Sequence, residues 1–286
     1  MSIDNNTSGT GENDMLDDRA ITVNEPGYIE VGNEARVFEI AFQRKLAIML
    51  KGPTGCGKTR FVSHMAQRLR VPLHTVSCHE DITASDLIGK HLLIGGETQW
   101  VDGPLTRAVR EGGICYLDEV VEARQDATVA IHSLTDHRRE LFIERLGGLR
   151  LAAAEGFCLV VSFNPGYQSI LKDLKMSTRQ RMVSIELGYP SADIERRIIM
   201  QEAGVDEALA GRLARLGQAL RRIEDSGLRE VPSTRLLIEA AALMAGGLPP
   251  HEAALAAIIG PLTDDASLRD RLKALIDAYL PQQGVL

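Results

Sequence analysis

Eight consecutive residues, 52–59, combine glycines, a lysine and a threonine in the pattern G-x-x-x-x-G-K-T. Glycines at this spacing let backbone N–H groups close around an anion, and the N-terminus of a following helix adds a partial positive charge. Lys58 can then reach the β- and γ-phosphates of a nucleotide, while the Thr59 hydroxyl joins the shell of a Mg²⁺ ion. A loop for a nucleoside triphosphate such as ATP is therefore predicted at Gly52, Pro53, Thr54, Gly55, Cys56, Gly57, Lys58 and Thr59.

Two adjacent carboxylates, Asp118 and Glu119, follow an apolar run at 114–117. In a protein with a phosphate loop, a carboxylate at the end of a neighbouring strand holds Mg²⁺, directly or through water, and this role falls to Asp118. Glu119 stands one residue farther along, where it can polarise the attacking water as a general base. A protein that only carried a nucleotide would not need that base, so the pair predicts ATP hydrolysis.

These side chains need a sheet that brings them together. Short apolar runs predict five strands with helices between them, which indicates a parallel sheet flanked by helices. The phosphate loop follows the first strand and precedes a helix that carries Phe61, Met65 and Leu69 at four-residue spacing. The predicted strands are 47–50, 73–77, 114–117, 159–163 and 183–186.

Beyond Tyr189-Pro190 the strand signals stop and amphipathic helices follow. Leucines at alternating spacings of four and three predict a helix over 206–224, and Ser233 has the side chain of a helix N-cap. Two more helices are predicted at about 251–259 and 266–279. We expect three parts, namely a disordered or extended leader at 1–27, an α/β ATPase domain at 28–190 and a helical lid domain at 191–286.

Composition argues against several classes of function. The formal net charge of −7 disfavours nonspecific binding of nucleic acid, which needs a basic surface. The four cysteines lie far apart, without the spacing of a metal site, so free thiols in a reducing cytoplasm are expected. The apolar runs are too short to cross a bilayer, and the N-terminus lacks the apolar segment of a signal peptide, so we expect no membrane insertion.

The phosphate loop, the acidic strand end, the stretch 160–165 and the helical tail together resemble an AAA+ ATPase of the MoxR group. The resemblance implies that Asn164, at the end of the fourth core strand, senses the γ-phosphate. It also implies an arginine that acts on the nucleotide of the neighbouring subunit; Arg181 aligns best with it, and Arg179 is the close alternative. In the lid, the resemblance implies that Arg235 reaches the γ-phosphate of its own subunit.

Four longer stretches look like the CbbQ/NorQ/NirQ branch of that group, namely 51–61, 102–108, 116–126 and 177–181. This resemblance implies a homo-oligomeric ring, usually a hexamer, that works with a von Willebrand A-domain adaptor (CbbO/NorD-like) and remodels a client enzyme by ATP hydrolysis. The client would be Rubisco, freed of inhibitory sugar phosphates, or nitric oxide reductase at metal insertion. Residues 25–28 resemble the Rubisco-activating members more closely, although Gly27 stands where an aromatic residue is expected.

Two predicted hairpins, at about 91–102 and 139–152, interrupt the ATPase domain. The family places such hairpins on the ring face or in the pore. Trp100 in the first hairpin is either an exposed client contact or a packed anchor. Two other functional classes stay open on the same core: a nucleic-acid motor, which the acidic charge disfavours, and a nucleotide-regulated binding module without hydrolysis, which Glu119 disfavours.

Overall fold

The computed structural model describes residues 27–165, 174–223 and 230–281. Apart from Gly27, the predicted leader lies outside these residues. The first part of the described chain contains α1 (Glu34–Gln43), β1 (Ala47–Lys51), α2 (Lys58–Leu69), β2 (Leu73–Ser77), α3 (Ala84–Ile88), β3 (Gly89–Ile94), β4 (Glu97–Asp102), α4 (Pro104–Glu111), β5 (Gly113–Asp118), α5 (Gln125–Ala130), β6 (Glu140–Ile143), β7 (Leu149–Ala152), β8 (Phe157–Phe163), α6 (Met176–Arg179) and β9 (Met182–Glu186). The second part contains α7 (Ala192–Ala203), α8 (Glu207–Arg221), α9 (Thr234–Ala245), α10 (Pro250–Ala254), a π-helical turn (Leu255–Ile259), α11 (Gly260–Leu262) and α12 (Ala266–Tyr279).

Five strands form one parallel sheet in the order β2-β5-β8-β1-β9. Each predicted strand is present, with its ends within two residues of the prediction, so the predicted five-stranded parallel sheet is confirmed. The phosphate loop follows β1, Asp118 ends β5, and β8 runs between those two strands. The carboxyl ends of parallel strands meet at one edge of the sheet, which therefore collects the predicted site residues.

Helices cover both faces of this sheet. Side chains alternate between the faces along each strand. Ile48 and Tyr116 pack on one face in a buried cluster with Phe61 of α2. Leu117 packs on the other face in a second buried cluster with Leu105 of α4. Burial on both sides explains why the sequence of each central strand is almost continuously apolar.

Two antiparallel hairpins project from this core: β3 pairs with β4, and β6 pairs with β7. Both turns contain two glycines with positive φ angles: Gly95 at 62° and Gly96 at 87° in the first, Gly147 and Gly148 at 70° and 80° in the second. Such backbone angles favour glycine because it lacks a Cβ atom. The side chain of Leu93, close to the first turn, is 76% exposed.

The helical region, described at residues 192–223 and 230–279, buries a core of its own made of leucine, isoleucine and alanine side chains. Asp206, Ser233 and Asp265 each accept a hydrogen bond from a backbone N–H in the first turn of the helix that they cap. Helix α12 has the bounds predicted from the sequence, whereas α8 ends at Arg221, before the predicted end. Within the described ranges, no helix is long and apolar enough to cross a membrane.

Candidate nucleotide-hydrolysis site

The phosphate loop adopts a backbone path that needs its glycines. Gly55 and Gly57 have φ angles of 69° and 98°, which strain any residue with a Cβ atom. A Cβ atom on Gly52 would lie 2.3 Å from the Leu187 carbonyl oxygen, so this position has no room for a side chain. Burial raises the pKa of the Cys56 thiol, which keeps a negative thiolate out of a loop suited to phosphates.

Lys58 is the first residue of α2, and its side chain is only 6% exposed. Its ammonium group donates to the carbonyl oxygens of Gly52 and Pro53, at 2.9 and 3.3 Å, and lies 3.2 Å from a carboxylate oxygen of Glu119. The positive charge is thereby held inside the loop, at the N-terminus of a helix. This is the combination of charges that an incoming phosphate group requires.

Three hydroxyl groups hold the carboxylate of Asp118. Thr59 Oγ1 donates to one oxygen at 3.1 Å, while Tyr116 and Ser162 donate to the other at 2.7 and 2.5 Å. Burial is the first cause that raises the pKa of Tyr116, so its hydroxyl stays protonated and keeps donating. The carboxylate of Asp118 therefore has a fixed orientation beside the Thr59 hydroxyl.

The Thr59 hydroxyl and the Asp118 carboxylate fit a Mg²⁺ ion. Both are hard oxygen ligands, and they lie within hydrogen-bonding distance of each other. Among the described residues, no group of three or more His, Cys, Asp or Glu side chains could hold a metal by itself. Mg²⁺ in nucleotide enzymes is typically held by one or two protein ligands together with substrate phosphates, which agrees with this donor set.

Glu119 leaves the strand direction immediately after β5. Its φ angle of 53° is left-handed, a conformation that costs about 1 kcal/mol for a residue with a side chain. Three contacts hold it: its backbone N–H donates to Ser162 Oγ at 3.1 Å, one carboxylate oxygen pairs with Lys58, and the other accepts from the Asn164 backbone N–H at 3.2 Å. The turn directs the carboxylate toward the phosphate loop.

Asn164 follows β8, the strand that separates β5 from β1 in the sheet. This position lets it contact both neighbours. Its backbone holds Glu119, and its side-chain amide donates to Thr54 Oγ1 at 3.2 Å. The structure therefore places Asn164 between the acidic strand end and the phosphate loop.

A cavity of about 630 Å³, the Lys58 cavity, opens between the α/β part and the helical region. Lys58, Thr59, Asp118 and Glu119 line one side of it, and Arg235 at the start of α9 lines another. Apolar side chains also line it, from the segment that precedes α1 and from the helical region: Tyr28, Ile29, Val31, Ile198 and Ile238. The cavity therefore offers a charged end for phosphates and an apolar part for a base.

Two family models match the chain: the AAA domain of the dynein-related subfamily at residues 47–182, and the CbbQ/NirQ/NorQ C-terminal model at residues 195–279. The denitrification regulatory protein NirQ of Pseudomonas aeruginosa is 57% identical over 255 residues, covering 89% of this chain and 98% of that protein. The chain belongs to the CbbQ/NirQ/NorQ family of AAA ATPases. It is therefore an ATPase, as its loop and carboxylates predict.

Two other relatives support this placement, and one solved structure has a similar fold. The protein NorQ of Paracoccus denitrificans is 54% identical, covering 90% of this chain and 94% of that protein. The protein CbbQ of Hydrogenophilus thermoluteolus is 51% identical, covering 87% and 93%. A mutant of RuvB from Thermotoga maritima has a similar fold, with a TM-score of 0.52 at 14% identity, over 88% of this chain and 72% of that one.

Arg179 and Arg181 are the two candidates for an arginine that acts on the neighbouring subunit. Neither lines the Lys58 cavity. The exposed Arg181 lines a second cavity of about 620 Å³, the Arg181 cavity, and comes within 4.0 Å of Asp136. Asp136 already accepts hydrogen bonds from Arg138, which lower the pKa of its carboxyl to about 2. The Arg179 guanidinium lies over the Phe163 ring, 5.7 Å from its centroid. Arg181 is thus the more weakly held of the two candidates.

Trp100 is partly buried and lines the Arg181 cavity. Its indole N–H donates to Asp102 at 2.6 Å, and its ring packs edge-on against His91. It also packs against the buried cluster of the α/β part. Of the two roles predicted from the sequence, most contacts of Trp100 agree with a packed anchor.

Sequence reasoning missed Tyr116 and Ser162, whose hydroxyls hold Asp118. The strand pattern could have indicated both residues. Residues two apart on a strand share a face, so Tyr116 belongs with Asp118 on β5. In the parallel pairing of β5 with β8, Leu117 lies opposite Val161, and the next pair along brings Ser162 beside Asp118.

Proposed function

We propose that the protein forms a ring, usually a hexamer, in which each ATP is hydrolysed at the boundary between two subunits. One observation carries this proposal. Lys58, Asp118, Glu119 and Arg235 line one cavity of the chain, whereas Arg181 lines another. An arginine that acts in catalysis from the Arg181 cavity must act on the nucleotide of a neighbouring copy.

In this mechanism the phosphate loop and Lys58 hold the phosphates of ATP. Bound Mg²⁺, held by Thr59 and Asp118, would supply neutralisation of phosphate charge. Glu119 orients the attacking water and accepts its proton, because its carboxylate is directed toward the loop by Lys58 and Asn164. Hydrogen bonds and one ion pair within the chain hold these side chains, which supports electrostatic stabilisation with little reorganisation.

Two arginines would complete the charge stabilisation. Arg235 lines the Lys58 cavity of its own chain and approaches the γ-phosphate in cis. Arg181 approaches the same phosphate from the next subunit, and its planar guanidinium suits the equatorial phosphate oxygens. We assign this role to Arg181 over Arg179, since Arg179 lies over Phe163 whereas Arg181 is exposed.

We further propose that ATP hydrolysis remodels a client enzyme in the cytoplasm, with a von Willebrand A-domain adaptor as partner. Rubisco, freed of inhibitory sugar phosphates, is the first client, on the resemblance of residues 25–28 to Rubisco-activating members. Nitric oxide reductase is the second, and the observation that favours it is the 57% identity with a denitrification regulatory protein. The exposed hairpin β3–β4, with Leu93 near its turn, is the proposed contact surface.

One experiment separates the two clients. The protein, its adaptor and ATP are incubated with inhibited Rubisco, and carboxylation is followed; Glu119→Gln protein serves as the control. Recovery of carboxylation with the unmodified protein, but not with Glu119→Gln, supports Rubisco as the client. If carboxylation does not recover, and a deletion strain loses nitric oxide reductase activity, the client is the reductase. ATP turnover that depends on added DNA would instead favour a nucleic-acid motor.

A further inference from the structure

Tyr189 connects the phosphate loop with the helical region. It lies between β9 and α7, and its hydroxyl donates to the Thr54 carbonyl oxygen at 3.0 Å. The Thr54 hydroxyl accepts from the side-chain amide of Asn164. Burial is the first cause that raises the pKa of Tyr189, so the hydroxyl remains a donor at neutral pH. Thr54 is thus held by Asn164 on one side and, on the other, by the segment that leads from β9 into the helical region.

The ring of Tyr189 is fixed in turn by Arg221, the last residue of α8. The guanidinium carbon lies 4.2 Å from the ring centroid, in cation–π geometry. The guanidinium also donates to both carboxylate oxygens of Glu195, at 2.9 and 2.7 Å, and its Nε donates to the Pro232 carbonyl at 2.8 Å. Such a bidentate pair fixes orientation as well as distance.

The ion pair is buried inside the helical region: the side chains of Arg221 and Glu195 are 9% and 0% exposed. Glu195 lies in the first turn of α7 and also accepts from Thr234 Oγ1 at 2.7 Å. Thr234 begins α9 and directly precedes Arg235, which lines the Lys58 cavity. The starts of α7 and α9 and the end of α8 are therefore joined at one point.

A buried ion pair is a poor source of stability, because desolvation offsets most of the attraction. In this protein the Arg221–Glu195 pair fixes positions, since with Tyr189 it links Thr54 of the phosphate loop to α9, the helix that carries Arg235. We propose that Tyr189 and the Arg221–Glu195 pair are positioning residues, which make the phosphate loop and Arg235 move as one unit during ATP turnover. This role concerns ATP hydrolysis alone and is independent of the client enzyme.

The Tyr189→Phe variant tests this role, because it keeps the ring beneath Arg221 and removes only the bond to Thr54. The matched control is Tyr279→Phe, at a partly buried tyrosine in α12 of the helical region. We expect kcat for ATP to fall about threefold to tenfold in Tyr189→Phe, with KM changed less than about twofold. The thermal midpoint should stay within about 2 °C of the unmodified protein. A kcat equal to that of the control would overturn the proposal.

A double-mutant cycle then tests whether Arg221 acts through Tyr189. Arg221→Lys keeps the positive charge but loses the planar fork and the stacking. We expect kcat of the Tyr189→Phe/Arg221→Lys double variant to equal that of Arg221→Lys alone, since both changes break the same link. If the two reductions in kcat multiply in the double variant, Arg221 acts independently of Tyr189, and the proposed link is overturned. If circular dichroism shows that Arg221→Lys does not fold, the proposal is decided by comparing kcat of Tyr189→Phe with kcat of Tyr279→Phe.

Discussion

The Lys58 cavity and the Arg181 cavity differ in how their polar side chains are held. In the first, Lys58, Asp118 and Glu119 each have two or more fixed partners within the chain. In the second, Arg181 is exposed and lies at the limit of an ion-pair distance from Asp136. The first cavity has the organisation of a binding site, whereas the second presents an exposed arginine at its surface.

The hairpins strengthen this contrast. Phe142 and Trp100 line the Arg181 cavity, one from each hairpin, and Phe142 is exposed. The Lys58 cavity, by comparison, receives its apolar side chains from the segment before α1 and from the helical region. We infer that chemistry is preorganised at Lys58, and we propose the Arg181 cavity and the two hairpins as the surface for contact with other copies and with the client.

The largest expected effect is at the Lys58 cavity. Glu119→Gln removes the general base and keeps the shape of the side chain, so phosphate release should fall by about a thousandfold. ATP binding, measured by isothermal titration calorimetry, should persist because Lys58 and the loop are intact. Phosphate release at the unmodified rate would remove Glu119 from the mechanism and leave a binding module.

The next effect tests the Arg181 cavity. Arg181→Ala should lower ATP turnover by about a hundredfold, because a charge-stabilising donor is lost at the neighbouring site. ATP binding should be retained, since Arg181 does not line the Lys58 cavity of its own chain. Arg179→Ala is the matched control, expected to have the smaller effect. The reverse ranking would transfer the trans role to Arg179.

A smaller effect should separate the hairpin surface from hydrolysis. Leu93→Ser should leave ATP turnover within about twofold, since the replaced residue is exposed and does not line the Lys58 cavity. Client activation should fall about fivefold if Leu93 is part of a contact. Leu243→Ser, another exposed leucine but on α9, controls for loss of apolar surface. Equal client activation in the two variants would argue against the hairpin surface.

The smallest expected effect is at Tyr116. Tyr116→Phe removes one of the three hydroxyls that orient Asp118, while Thr59 and Ser162 remain. ATP turnover at saturating Mg²⁺ should fall only about threefold. Half-maximal turnover should need a higher Mg²⁺ concentration, measured by titration after chelation. An unchanged Mg²⁺ dependence would mean that Tyr116 has no part in holding the ion's ligand.

The sheet and the phosphate loop could be predicted because their signals are local. Apolar runs define the five strands, and the glycines at 55 and 57 have the positive φ angles that such a loop needs. The left-handed turn at Glu119 could not be predicted, since it depends on contacts with Lys58 and Asn164. The cluster of Tyr189, Glu195 and Arg221 was missed for the same reason, because it joins a residue between β9 and α7 to residues of two different helices.

The most direct measurement mixes two inactive proteins, Glu119→Gln and Arg181→Ala, under conditions that allow subunits to exchange. If hydrolysis uses Glu119 of one copy and Arg181 of the next, some boundaries in a mixed ring have both groups intact. ATP turnover should then recover to roughly a quarter of the unmodified rate in an equal mixture with random exchange. Subunit exchange is verified separately with fluorescently labelled chains. If exchange occurs and turnover stays at the average of the two inactive proteins, hydrolysis at a shared boundary is contradicted.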